Sequence, residues 1–101
     1  FSNSEVQFSN LIYANLSNAN LSNANFYYAN LSNANLSNAN LSNANLSESN
    51  LSNANLTNAI LDNAILRYTN LGDANLSGAS LKGAKLRDAR FSNTKTDGIR
   101  F

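Results

Sequence analysis

A large apolar residue recurs at every fifth position from one end of the chain to the other. These centres read Phe1, Val6, Leu11, Leu16, Leu21 and Phe26, then Leu at each step from Leu31 to Leu86, then Phe91, Thr96 and Phe101. All 15 Leu are centres. Two residues before each later centre stands a small residue. All 14 Ala occupy that phase, the exceptions being Ser4, Ser9, Ser49, Thr69, Thr94 and Ile99. The 22 Asn keep to two phases: twelve directly precede a centre and ten lie two after one.

A helix cannot use this pattern. Five residues advance it by about 500°, so successive Leu would sit about 140° apart and spiral around the axis. In an extended chain, an Ala and the centre two residues later share a face, but the next Ala is an odd three residues further on. Both point inward only if the chain turns once per repeat, always in the same sense. The pattern therefore predicts a coil with Leu and Ala inside, stacked turn upon turn so that backbone polar groups find partners. The number of sides per coil stays open at this point.

The repeated A-N-L-S-N, seen as Ala14-Asn15-Leu16-Ser17-Asn18 and again as Ala34-Asn35-Leu36-Ser37-Asn38, resembles the A-(D/N)-L-x-x motif of the pentapeptide-repeat family. The resemblance runs through essentially the whole chain and weakens around Ser4 to Ser9 and Thr94 to Thr96. It implies an all-β fold, a right-handed quadrilateral parallel β-helix of about five coils of twenty residues, roughly 24 Å tall at about 4.8 Å per coil. One solenoid domain over 1–101 is expected, with an irregular N-terminal coil at 1–10 and a C-terminal end at 94–101. The chain does not begin with Met, so a fragment of a longer chain or a processed product is the expectation.

Composition adds exclusions. The Asn and Ser content alone would indicate a disordered tract, but disorder does not require such phasing. The chain has no His, Cys, Pro, Met or Trp, 13% charged residues and a net charge of +1. With neither His nor Cys, and six carboxylates scattered over outward positions, no catalytic residue, cofactor or metal site is expected. The N-L-S/T triplets match a glycosylation sequon only as a by-product of the repeat. Asn in the outward phase is expected to bond the turn backbone and to stack in amide ladders. No apolar run approaches the roughly 18 to 20 residues that span a bilayer, and no signal peptide is visible, which favours a cytoplasmic location.

A twenty-residue period sorts the surface into four sides, provided no bulge shifts the columns. On the Leu11 side, the small inward phase reads Ser9, Ala29, Ser49, Thr69 and Ala89, and its hydroxyls need backbone partners. The side centred on Val6, Phe26, Leu46, Leu66 and Leu86 departs most from the consensus. Two after its centres stand Phe8, Tyr28, Glu48, Tyr68 and Asp88; one after them stand Gln7, Tyr27, Ser47, Arg67 and Arg87; directly before them stand Glu5, Asn25, Asn45, Ile65 and Lys85. Phe8, Tyr27, Tyr28, Ile65, Arg67, Tyr68, Lys85 and Arg87 form the candidate interaction face. One reading is that these aromatics merely stiffen neighbouring coils. The other is that they bind a partner, since aromatics and Arg dominate binding hot spots.

Charge is polarised along the chain. Residues 1–66 hold Glu5, Glu48 and Asp62 and no base, whereas 67–101 hold all seven bases against three acids. A solubilising cap over an open sheet edge is the favoured reading, ahead of a nucleic-acid or anionic-lipid patch. The expected function is that of a non-catalytic scaffold presenting flat faces to a protein partner or fused domain, without a small-molecule substrate. The family resemblance brings an alternative, a DNA mimic that binds gyrase or topoisomerase. A 24 Å rod of duplex charge density would need roughly fourteen negative charges, and this chain has six acids outnumbered by seven bases. A third reading is a water- or ice-ordering surface, for which four Thr are few. The open ends, with Phe1, Val6 and Phe8, are compatible with end-to-end self-association.

Overall fold

The computed structural model describes residues 1–101. Every five residues follow one cadence, two turn residues after the centre and one bridge residue directly before the next. The bridges are all parallel and all join residues twenty apart, from Glu5↔Asn25 to Ser80↔Arg100. No bulge interrupts the register, and four turns in each twenty-residue revolution give four sides. Residues 1–10 and 94–101 keep the cadence, with bridges at Glu5, Asn10, Lys95 and Arg100. Each side contributes a single bridge residue in place of a multi-residue strand, because the turn consumes the rest of the repeat.

The repeat Leu36–Asn40 shows why five residues suffice. The Leu36 N–H donates up to Asn55 O at 2.7 Å and the Asn38 N–H to Thr57 O at 2.9 Å, while the Asn40 N–H donates down to Ala19 O at 2.9 Å. The Ala39 N–H closes the turn on Leu36 O at 3.1 Å. The fifth donor, Ser37 N–H, goes to the Asn35 side-chain Oδ1 at 3.1 Å. No N–H is left over, so the chain can bend sharply without stranding a polar group.

Both Asn phases now have a cause. All twelve Asn that precede a centre accept the N–H two residues on, from Asn10 to Ile12 through Asn75 to Ser77. This is an Asx turn, and Ser17, Ser22, Ser37 and Ser42 add a hydroxyl bond to the same oxygen. These amide oxygens are engaged inside their own turns, and no hydrogen bond joins one Asn side chain to the Asn above it in a column; the one Asn amide that donates goes from Asn25 to Glu5. The ten Asn two after a centre take positive φ, between 58° and 62°. A positive φ at the third residue, with an i to i+3 bond, is the geometry of a type II turn, which favours Gly and Asn there.

Inside, 23 buried apolar residues form one continuous cluster from Leu21 to Leu81. Leu and Ala ladders alternate, and Phe26 is the one fully buried aromatic. Burying each large side chain contributes about 1.5–3 kcal/mol relative to exposure. Ser49 and Thr69 enter this core by donating to Leu46 O at 2.7 and 2.6 Å, which supplies the backbone partner their hydroxyls need. The centres Val6, Leu11 and Leu16 below and Leu86 above are only partly covered, since no coil stacks beyond them. The molecule measures 30 × 25 × 20 Å, a squat block rather than a slender rod.

Candidate functional site: the Val6 side

The twenty-residue register stacks the Val6-side residues as the sequence columns require, and the structure then divides them. Phe8, Tyr27 and Tyr28 touch one another. Phe8 meets Tyr27 edge-on with centroids 5.7 Å apart, Phe8 and Tyr28 tilt at 5.9 Å, and Tyr27 and Tyr28 at 5.8 Å. Phe8 is 69% and Tyr28 58% exposed, with Tyr27 half-buried between them. Tyr68, 55% exposed, stands two coils from Tyr28 and makes no ring contact. Arg67, Lys85 and Arg87 are exposed and Ile65 is half-buried beside them. The face is therefore an aromatic cluster near the N-terminal end and a basic zone toward the other end.

Two carboxylates flank the cluster. The Tyr27 hydroxyl donates to Glu48 Oε2 at 2.7 Å, and the Asn25 amide donates to Glu5 Oε2 at 2.9 Å. The hydrogen bond to Glu48, together with its negative charge, raises the Tyr27 pKa above its ordinary 10.0, because an ionised phenol would lose the bond and face a like charge. Neither Glu5 nor Glu48 is paired with a base; the chain's one ion pair is Arg87 Nε to Asp88 Oδ2 at 3.8 Å. That pair is largely exposed and contributes little.

Backbone geometry supplies a signal that residue columns alone did not reveal. Phe8, Tyr28, Glu48 and Tyr68 all occupy the positive-φ corner of their turns, at 62°, 60°, 57° and 60°. That corner costs a bulky L-residue roughly 1–2 kcal/mol. Elsewhere the same corner holds Asn, Asp or Gly, the exception being Tyr13 at 62° on the Leu11 side. Tyr13 is 76% exposed and Ile12 39%, a second apolar corner outside the candidate face. The sequence clue was available: fifteen of the twenty corner residues are Asn, Asp or Gly, so the bulky exceptions stand out.

Other polar features are structural. Asp62 Oδ1 accepts the Ser80 hydroxyl at 2.5 Å and the Lys82 N–H at 3.3 Å, doing for Lys82 what Asn does elsewhere. At the C-terminal end the four bridge positions of the last coil carry Lys85, Arg90, Lys95 and Arg100, one per side. The same end holds an open apolar cavity of about 390 Å³, lined by Leu81, Leu86, Phe91, Ile99 and Phe101 with Thr96 and Gly98.

The repeat now meets its relatives. The pentapeptide-repeat family model matches over residues 1–43, 39–77 and 54–93, with 8 copies. The chain is a pentapeptide-repeat protein. It is similar to the solved pentapeptide-repeat protein alr5209 of Nostoc PCC 7120, at 33% identity and a TM-score of 0.75, over 95% of this chain and 83% of that one. It is also similar to Rfr23 of the cyanobacterium Cyanothece 51142, at 35% identity and a TM-score of 0.50, over 97% and 84%. HetL of Nostoc PCC 7120, a pentapeptide-repeat protein involved in heterocyst differentiation regulation, matches at 29% identity and a TM-score of 0.57, over 98% of this chain and 56% of its own. These neighbours imply a right-handed hand for the β-helix. No curated protein matches the sequence. No helix is long and apolar enough to cross a membrane.

Proposed function

We propose that this pentapeptide-repeat protein is a non-catalytic interaction module, a rigid β-helix of about five coils whose Val6 side contacts a protein partner. The observation that carries the reading is the stack of bulky side chains at positive-φ corners on that one side. The corner disfavours them, and Phe8, Tyr28 and Tyr68 stay exposed there, outside the buried core. Ile65, Arg67, Lys85 and Arg87 extend the same side upward and complete the proposed face.

The DNA-mimic alternative gains nothing from the structure. A block 30 Å in its longest dimension still offers six acids against seven bases, where duplex DNA of that length would show roughly eighteen negative charges. The water-ordering alternative loses half its Thr, since Thr69 and Thr94 donate inward to Leu46 O and Leu71 O. End-to-end association draws support from the edges: the N–H groups of Leu86, Phe91 and Thr96 have no backbone acceptor, nor have those of Asn10, Asn15 and Asn20.

A photo-cross-linking residue in place of Tyr28, compared with one in place of Asn38 on the opposite side, tests the reading in cells that express the protein. Adducts are expected at 28 and not at 38. Equal labelling at both, or none at 28, would overturn it.

A further inference from the structure

The lower half of the Val6 side combines two features that suit the same chemical partner. Phe8 and Tyr28 stay largely exposed, with the Tyr27 ring against them at 5.7 and 5.8 Å. Ring faces carry negative quadrupole density and attract cations lying within about 6 Å of the centroid. Glu5 and Glu48, on the same side, are held in place by Asn25 and Tyr27, and neither has a cationic partner. Each carboxylate spends one oxygen on its neutral donor and keeps acceptor capacity on the other. No Lys or Arg occurs in residues 1–66; the nearest base, Arg67, lies on the next coil, where its carbonyl accepts the Glu48 N–H at 2.9 Å, and its side chain forms no ion pair with Glu48.

We infer that this acidic-aromatic patch receives an arginine-bearing, positively charged segment of a protein partner. The guanidinium stacks on Phe8 or Tyr28 while its N–H fork donates to Glu48. The inference rests on the interaction reading of the Val6 side and adds the chemistry of what binds there. Arginine fits better than lysine because its planar cation can lie flat on a ring and donate in-plane to a carboxylate at once. Net charge does not produce this preference, since the whole chain is +1 and would repel a cation weakly. The corner strain at Phe8, Tyr28 and Glu48 falls on the residues that the complex needs.

The test is an NMR titration of the 101-residue chain, at physiological salt, with an octapeptide alternating arginine and glycine. Its glutamate-glycine counterpart serves as the control. Saturable shifts of the Phe8 and Tyr28 ring protons with the arginine peptide are expected, and none with the control. Glu48→Gln, which keeps an acceptor for the Tyr27 hydroxyl and so keeps the fold, should weaken binding about tenfold. Phe8→Asn with Tyr28→Asn should abolish it. Unsaturable shifts, shifts elsewhere on the surface, or binding that survives both variants would overturn the assignment. Cross-linking at 28 without arginine-peptide binding would discard the cationic chemistry and leave the interaction side standing. Absence of cross-linking at 28 would remove both.

Discussion

At the scale of single residues, the protein is a study in what Asn can do in two different places. Before a centre, its side chain accepts the one N–H that stacking leaves free. After a centre, its backbone takes the positive φ that closes the turn. The two roles respond differently to substitution. Asn35→Ala should lower the unfolding free energy by about 0.5–1.5 kcal/mol through loss of the Ser37 N–H bond. Asn38→Gly should be close to neutral, because glycine tolerates the corner as well. Denaturant melts of the two variants separate the roles, and an equal loss in both would contradict them. Tyr27 gives a second check. Its raised pKa means that the folded state holds the phenol proton more tightly than the unfolded chain does. That contribution is intact below the ordinary value of 10.0 and is lost as pH rises through the higher folded value. Glu48→Ala should bring the Tyr27 titration, followed by NMR, down toward 10.0. A titration unmoved by that change would mean Glu48 is not the cause.

At the scale of the repeat, most of the fold was legible because its two rules are local. The impossible helical phase of Leu every fifth residue and the odd step from centre to Ala force a turn in each repeat. The inward hydroxyls of Ser49 and Thr69 also announced their need for a carbonyl. The positive-φ corner was harder to read. Asn, Asp and Gly share that position for a conformational reason, but Asn also recurs for a hydrogen-bonding one, and the shared residue type hides the difference. The ring cluster was half legible. Phe8 and Tyr28 share a column, but their contacts with Tyr27 and its bond to Glu48 cross between columns and between coils. The core rule has a simple test in Leu46→Asp at the middle coil, where the side chain is fully buried. A charge there has no partner, and cooperative unfolding should be lost. A variant that melts like the parent would place Leu46 outside.

At the scale of the whole molecule, a continuous Leu and Ala core holds the coils together, and the other three sides are finished mostly in small polar residues, with Ile12, Tyr13 and Ile60 as exposed apolar exceptions and bases toward the C-terminal end. The Val6 side is where the surface departs from what the backbone prefers. Exposed aromatics at strained corners either hold neighbouring coils together or serve something outside the molecule, and these alternatives differ in stability. Corner strain of roughly 1–2 kcal/mol per bulky residue is relieved by Asn, against ring contacts worth about 0.5–1.5 kcal/mol at Phe8 and Tyr28 and no ring contact at Tyr68. The deciding measurement is the thermal melt of the Phe8→Asn, Tyr28→Asn, Tyr68→Asn triple variant beside the parent. If the side exists for binding, the midpoint stays within about 5 °C of the parent or rises. A fall of more than about 10 °C would show that the aromatics hold the solenoid together, and would contradict the account.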